Sequence, residues 1–449
     1  MDQESPSSLL GLRLADGQKE PRVLRINGVR HVSPYFIVAE LNLGKRMAKR
    51  QGTGTTCSTD SKASTSTSAT ASRLTIRGAL EALSQQGKRM MPTAQWWIGE
   101  VEASRVYLGA DLIKKKVSAN DILTPSACLF AKFHYHEQAT MDGRANVLYS
   151  DGQYVVVNKP AGIDVLANPA HFRVHNSLPG LLLEEMGRGE TCTSTNSAIL
   201  SLPKPAHRLD SPVSGLVCCG RTNSDVKRLS RRIELGETEK LYVARVRLPS
   251  SGELPNLPHT IDEALGFDGA KSMAFVASKG TPGTKDATTI VQECLRNMGD
   301  GTAIVSVRIL TGRKHQIRCH LQHAGIPIAN DYRYCAAGIE ASSGKADTYI
   351  GAGGDSLPSI QQLSTCRQQN ISAFGMPHPP DQVRELYESN YALGDDTNCD
   401  HCSFIRDLFA GKRGFGPHVM EGIWLHCWKY SFPTLGLKFE SPLPHWAVE

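Results

Sequence analysis

The chain has 449 residues, 40% hydrophobic and 21% charged, with a formal net charge of +6. That length exceeds one typical domain, and the balance is that of a globular protein rather than a disordered or fibrous one. No uninterrupted apolar run is long enough to cross a bilayer, which excludes a helical membrane protein. The 12 cysteines fall at irregular spacings, which fits reduced thiols in an intracellular compartment and not a disulfide framework.

The opening residues carry acids and lack both an apolar signal core and a strongly Arg-rich amphipathic pattern, which argues against secretion. Basic residues cluster instead further on, in "GKRMAKR" at 44–50, "KKK" at 114–116 and "KRLSRR" at 227–232, so the mild positive charge permits a polyanionic partner. Residues 1–50 read as an N-terminal extension. The small polar stretch within 51–73 buries too little apolar area to offset its ordering entropy and is expected to be disordered. Globular texture returns over 74–137, with a helix in "LTIRGALEALSQQGKRM" and then short strands; Trp96 and Trp97 are expected in a core.

Strand patterns dominate after residue 145. "ANVLYSDGQYVVVNKPAG" places two apolar runs around an Asp-Gly turn, the pattern of a tight hairpin. "GLVCCGRT", "EKLYVARVRL" and "TAIVSVRILTG" read as strands. "SDVKRLSRRIELG" reads as a helix with Val226, Leu229 and Ile233 on one face, stopped at Gly236. "RKHQIRCHLQHAG" predicts a short helix capped near Thr311, with Gly325 past its end. Residues from about 336 to 395 are rich in Gly, Ser and Gln and read as a surface insertion. The closing segments "GIWLHCWKYSF" and "LKFESPLPHWAVE" are strand-like. No internal repeat is present, and the class is α+β with a large, mainly antiparallel sheet.

Three polar constellations stand where apolar residues would fit more cheaply: His207, Arg208 and Asp210; Lys240 and Tyr242; and Arg313, His315, Gln316, Arg318 and His320. Taken singly, each has a bland reading. Asp210 before Ser-Pro is a common turn starter whose carboxylate caps backbone N–H groups. Together they describe a chemistry. A carboxylate with an Arg partner stays ionised and can attack an electron-poor sugar carbon. A Tyr face can stack a base, and basic helices contact phosphates. The combination points to reaction at the C1′ carbon of a nucleoside within RNA.

"HRLDSPVSGLVCCGRT" resembles the signature of the RluA-type pseudouridine synthases, and four more segments agree in the order that family has them. These are "DGQYVVVNKPAGIDV", "KLYVARV", "TGRKHQIRCHLQHAGIPIANDYRYC" and "GIWLHCWKYSF". "GVRHVSPYF", "FHYHE", "HFRVHNSL" and "FESPLPHW" are similar to the eukaryotic branch that modifies tRNA, commonly at uridine 32 of the anticodon stem-loop. Pro212 and Val213 depart from the family's small or polar residues before Ser214.

The resemblance implies a pseudouridine synthase fold: a large mixed sheet flanked by helices and loops over 145–449, with a small, divergent S4-like RNA-binding domain over 74–137. It implies Asp210 as nucleophile or base at C1′, Tyr242 stacking on the uracil and assisting at C5, and Arg318 pairing with Asp210. Leu209 and Ile317 would wall the pocket. Arg208, His207, Lys240, Arg313, His315 and Gln316 would bind RNA.

The partner would be RNA, tRNA before rRNA, with no membrane, and the protein a monomer. No cofactor and no metal are expected, since the reaction is an isomerisation. The "CDHC" pair Cys399 and Cys402 has zinc-like spacing with His401 between, but one pair does not complete a four-ligand site. A cytoplasmic location is expected, with mitochondrion or nucleus as alternatives. The competing function is a non-catalytic RNA-binding or chaperone protein on the same scaffold.

Overall fold

The computed structural model describes residues 21–26, 29–33, 35–41, 75–84, 98–99, 101–102, 106–108, 115–122, 129–135, 137, 139–167, 174–187, 202–331, 333–335 and 422–448. The 51–73 stretch, Trp96 and Trp97, the 336–395 insertion and Cys399, His401 and Cys402 lie outside the described residues. No group of His, Cys, Asp or Glu suited to a metal occurs among the described residues, and none of their helices is long and apolar enough to cross a membrane.

In chain order the strands begin with β1 (Val23–Ile26), β2 (Val29–Val32), β3 (Tyr35–Leu41), β4 (Val106–Leu108), β5 (Lys115–Lys116), β6 (Leu129–Tyr135) and β7 (Thr140–Met141). They continue with β8 (Asn146–Ser150), β9 (Tyr154–Lys159), β10 (Lys204–Pro205), β11 (Ser214–Gly220), β12 (Glu239–Arg247) and β13 (His259–Asp262). The last are β14 (Ala264–Asp268), β15 (Met273–Ala277), β16 (Thr288–Asn297), β17 (Thr302–Ile309), β18 (Leu425–Phe432) and β19 (Leu437–Glu440). Helices are α1 (Ile76–Ser84), α2 (Leu178–Gly187), α3 (Asn223–Glu234), α4 (Gln316–His323) and α5 (His445–Val448).

A 10-stranded sheet carries the order β13-β16-β17-β12-β18-β11-β9-β8, with β10 also on β11 and β19 on β18. Its pairings are antiparallel except β11 with β18, which is parallel. The mainly antiparallel sheet expected from the sequence is therefore present. β9 and β11 are buried almost without alternation, because the middle of this sheet is covered on both faces. Their runs "YVVV" and "GLVCC" supply the apolar side chains that this requires.

Local chemistry explains the element ends. At the β8–β9 turn, Asp151 N donates to Tyr154 O at 3.0 Å, and the Asp151 carboxylate accepts from Gln153 N and Tyr154 N at 2.7 and 2.6 Å. α3 starts on a capping box in which Thr222 and Asp225 satisfy each other's backbone N–H, and stops at Gly236 with φ 72°. Two expectations fail. α4 is not capped by Thr311: its N-cap is His315 in the left-handed region, while Thr311 Oγ1 donates to the Gln316 side chain at 2.8 Å. The chain end after β19 is helical over His445–Val448 rather than strand: Ser441 N still donates to Trp428 O of β18 at 2.9 Å, but Pro442 and Pro444 have no N–H with which to continue the pairing.

The N-terminal strands form a three-stranded sheet β1-β2-β7 and a four-stranded sheet β3-β6-β4-β5. β3 precedes the low-complexity stretch and β6 follows it, so the two sides of that stretch share a sheet. Three segments separated in sequence meet here. Arg30 from "GVRHVSPYF" is fully buried and donates to Asn176 Oδ1 and Glu184 Oε1. Glu137 from "FHYHE" accepts from His175 N and Asn176 N at 2.8 and 2.7 Å.

β11, β18 and β12 lie side by side, and one glycine sets how closely the first two approach. Gly215 has φ 115°, and a Cβ there would sit 2.4 Å from the Cys427 carbonyl oxygen. Gly215→Ala is therefore expected to cost about 2–4 kcal/mol, combining a strained φ with a backbone clash. Urea unfolding monitored by tryptophan fluorescence checks this; a change within about 0.5 kcal/mol would contradict the close approach.

Candidate active site

Asp210 lies on the loop between β10 and β11, and its surroundings decide between capping and chemistry. The turn is closed by the backbone: Val213 N donates to Asp210 O at 3.0 Å. Among the described residues the carboxylate caps no backbone N–H; it faces Arg318 Nη1 at 3.4 Å and His315 Nε2 at 3.9 Å, with 24% of the side chain exposed. Asp210 thus begins a turn, as its sequence context suggests, without spending its carboxylate on it.

The loop is held from below by a buried cation. Lys159, at the end of β9, donates from Nζ to the carbonyls of Pro160, Ile163 and Ser211 at 2.9, 2.7 and 3.2 Å. An ammonium has three protons, so three carbonyls can take all of them. Gly162 N donates to Ser211 O at 2.8 Å, and Ser211 Oγ donates to Asp164. The backbone next to Asp210 is tied to the β9 turn on both its carbonyl and its side chain.

Arg318, on the first turn of α4, is nearly fully buried and sits between two carboxylates. Asp331 grips it from Nε and Nη2 at 2.5 and 2.9 Å, leaving Nη1 for Asp210. Burial alone would lower the Arg318 pKa, but the hydrogen bonds and charge of Asp331, then the charge of Asp210, hold it above the ordinary value. The second ring on α4's approach is His315, with φ 57°. Tyr334 Oη accepts from Ala274 N at 2.7 Å and meets His315 Nδ1 at 2.8 Å. When the phenol gives its proton to Nδ1, the ring's own proton lies on Nε2, toward Asp210. Burial first, then Arg318 and Lys314, push the His315 pKa down to about 3, so the ring is neutral.

Tyr242 lies in the middle of β12, opposite Cys427 of β18, where the register shifts between Leu241 and Tyr242. Such a bulge re-aims a side chain. Burial, then Cys427, push its phenol well above the usual range, so it stays protonated. Asp210 lies close enough for its charge to contribute to that rise. Leu209 and Ile317 are buried. Asp210 thus meets Arg318 and His315 of the α4 segment, with Tyr242 of β12 within reach of its charge, so three separate stretches of chain contribute.

Residues 153–323 match the family model described as RNA pseudouridylate synthase. That region is therefore an RNA pseudouridine synthase domain. The chain is similar to RNA pseudouridine synthase 7 of Arabidopsis thaliana, 27% identical over 356 residues that cover 78% of this chain and 77% of the relative. It is also 27% identical over 300 residues to the mitochondrial tRNA pseudouridine(32) synthase of Saccharomyces cerevisiae, covering 66% of this chain and 56% of that one. The solved structure of human RNA Pseudouridylate Synthase Domain Containing 4 is 17% identical and covers 68% of this chain and 90% of its own, with a TM-score of 0.38.

Other residues singled out in this pseudouridine synthase domain divide into rim and scaffold. Arg208 and Arg313 are exposed. His207 is committed to the fold: its Nε2 accepts Cys218 N at 3.0 Å and its ring stacks on Tyr430 at 4.7 Å. Gln316 is buried with both ends of its amide used, accepting from Thr311 and Arg313 and donating to Thr288 and Thr289. It fixes the 311–316 loop against β16. Lys240 is buried on β12, and that burial lowers its pKa.

Asp331, Tyr334 and Lys159 fall inside segments that carry the family resemblance but are given no role by the sequence alone. The signal for the first two was present: an acid and a phenol three residues apart in "NDYRYC", following an arginine on an apolar helix face that needs a counter-charge. Asp331→Ala is expected to destabilise the protein by about 3–5 kcal/mol, because it leaves Arg318 buried beside only one, more distant carboxylate; chemical denaturation measures this.

A pH dependence follows from His207. Burial, with Lys240 adding, depresses its pKa from 6.5 to about 4. The unfolded chain takes up a proton below about pH 6.5 that the folded chain refuses, so stability is full above that value and falls as pH drops toward about 4. His207→Gln, whose amide oxygen can still accept Cys218 N, is expected to flatten the slope of unfolding free energy between those pH values by about one proton.

Proposed function

We propose that this pseudouridine synthase domain uses Asp210 as the group that reacts at C1′ of a uridine, in the anticodon stem-loop of a tRNA. The observation that carries the reading is a partly exposed carboxylate, spared from its own turn, aimed by Arg318 and His315. The N1–C1′ bond breaks, the uracil turns, and a C5–C1′ bond forms; C5 loses a proton and N1 gains one, so no group enters or leaves. Asp210 attacks C1′, or removes a sugar proton in a glycal route, once the uridine has left its stack. Tyr242 offers its ring to the uracil and its hydroxyl at the C5 step.

Arg208 and Arg313, both exposed, hold phosphates of the flipped strand. The S4-like reading of 74–137 belongs to the same proposal: α1 and strands β4–β6 add a second RNA contact. Position 32 as target, and a mitochondrial location, are supported by the yeast relative's name. The protein acts as a monomer without cofactor or metal.

Incubation with tRNA transcripts followed by carbodiimide mapping tests the reading. Asp210→Asn is expected to lower product formation by at least about a thousand-fold while RNA binding persists. Arg318→Lys is expected to lose activity too, because an ammonium cannot span Asp331 and Asp210 with a planar fork. Absence of any new pseudouridine on tRNA or rRNA fragments with the parent protein would refute the assignment. Full activity in Asp210→Asn would return the carboxylate to a structural role.

A further inference from the structure

The hairpin β14–β15 stands apart from the large sheet as a two-stranded unit. Its inner face packs toward α4: Leu265 and Ala274 are buried in one cluster with Cys319 and Tyr334. Phe267 pairs with Ala274 across the hairpin, on that same face, yet stays 38% exposed. It has reached past the end of the apolar cluster to the rim of the site. Its ring meets His315 edge-on, with centroids 5.7 Å apart, and the Lys314 ammonium lies 3.6 Å from the ring centroid. His315 in turn faces Asp210 at 3.9 Å. Phe267 is therefore one side chain removed from the reactive carboxylate.

Positive charges outnumber negative ones around this ring. Lys314 is exposed and lies close enough to Asp210, Arg208 and Arg333 to feel all three charges. Three cations thus surround a single carboxylate at the mouth of the site, a pattern that suits a polyanion. An aromatic face beside such cations is how single-stranded nucleic acid is gripped, because every base has a π-face and every nucleotide a phosphate. The ammonium now resting on the ring makes an exchangeable contact with it. A phosphate can draw it off and leave the ring face to a base.

We propose that Phe267 and Lys314 form a subsite for the nucleotide next to the target uridine in the same RNA strand, Phe267 stacking on its base and Lys314 taking its phosphate. The target base itself must reach Asp210, and His315 stands between Asp210 and Phe267, so the ring serves a neighbour. Flipping a uridine strips that neighbour of a stacking partner, and Phe267 replaces it. The subsite rests on the reading of Asp210 as the group that meets the flipped uridine, and it makes the flanking base a determinant of which uridine is chosen.

The test uses two tRNA anticodon stem-loops carrying 2-aminopurine on the 5′ or the 3′ side of uridine 32, with the full-length protein. The parent is expected to quench one of the two probes. Phe267→Ala, and Phe267→Leu as a variant that keeps apolar packing, are expected to lose that quenching and bind about ten-fold more weakly, while Phe267→Tyr retains both. With an abasic nucleotide at the quenched position, parent and Phe267→Ala are expected to bind alike. Lys314→Thr is expected to reduce the slope of log affinity against log salt by about 0.7, one phosphate contact.

No quenching on either side, or equal quenching in parent and Phe267→Leu, would overturn the subsite. Pseudouridine mapping on the same RNAs separates the two readings. Phe267-dependent quenching with no pseudouridine formed would leave the subsite standing and sink the reaction assigned to Asp210. Conversion of uridine with no role for Phe267 would do the reverse.

Discussion

A single buried guanidinium, that of Arg318, lies between two carboxylates and gives each a different role. Asp331 takes two of its nitrogens, one on each carboxylate oxygen, and supplies the counter-charge that burial demands. Asp210 receives the third nitrogen at a longer distance and keeps part of its surface exposed. One carboxylate is thereby spent on structure and the other left available for chemistry. If Arg318 had only Asp210 as partner, the same charge would have to pull that carboxylate inward to compensate its own desolvation.

The surrounding architecture can be understood from that arrangement. α4 must present Arg318 from its first turn, so the helix begins abruptly from a left-handed His315 rather than from a hydroxyl cap. The residues before it are then held by the Gln316 amide, which joins Thr311, Arg313, Thr288 and Thr289. On the opposite side, Lys159 gathers three carbonyls and fixes the Asp210 loop against the end of β9. The central strands β11, β18 and β12 bridge the two sides, and Gly215 lets the first two approach. The site is assembled from loops and strand edges, but each is anchored by a buried polar group whose bonding capacity is filled.

Sequence reasoning did well where the information is local. Hairpin β8–β9, helix α3 and the strands β9, β11, β12, β17 and β18 follow from alternation, apolar runs and capping residues acting over a few positions. The resemblance implied one site for Asp210, Tyr242 and Arg318; the fold sets Arg318 3.4 Å from Asp210 and Tyr242 within reach of the Asp210 charge. It went astray at α4 and at the chain end. There, propensity favours one start or one strand while tertiary contacts choose another, as when Thr311 turns its hydroxyl to Gln316 instead of capping a helix. His207, Lys240 and Gln316 look like RNA ligands in sequence because they are polar and near the motif; their burial is invisible until the strands pack.

What the sequence by itself determined is the inventory and the order: an acid before a turn, a tyrosine at mid-strand, an arginine opening a short helix, and the apolar patterns that make those elements. Those properties depend on neighbours within one turn or one hairpin. Only the tertiary structure decided which polar groups face one another. It made Asp331 the close counter-ion of Arg318 and left Asp210 as the more distant, partly exposed one, set His315 Nδ1 against the Tyr334 hydroxyl, and carried Phe267 to the rim beside Lys314. Each of those assignments joins residues from distant parts of the chain, and their energies depend on burial and distance, quantities that exist only once the sheet has closed around them.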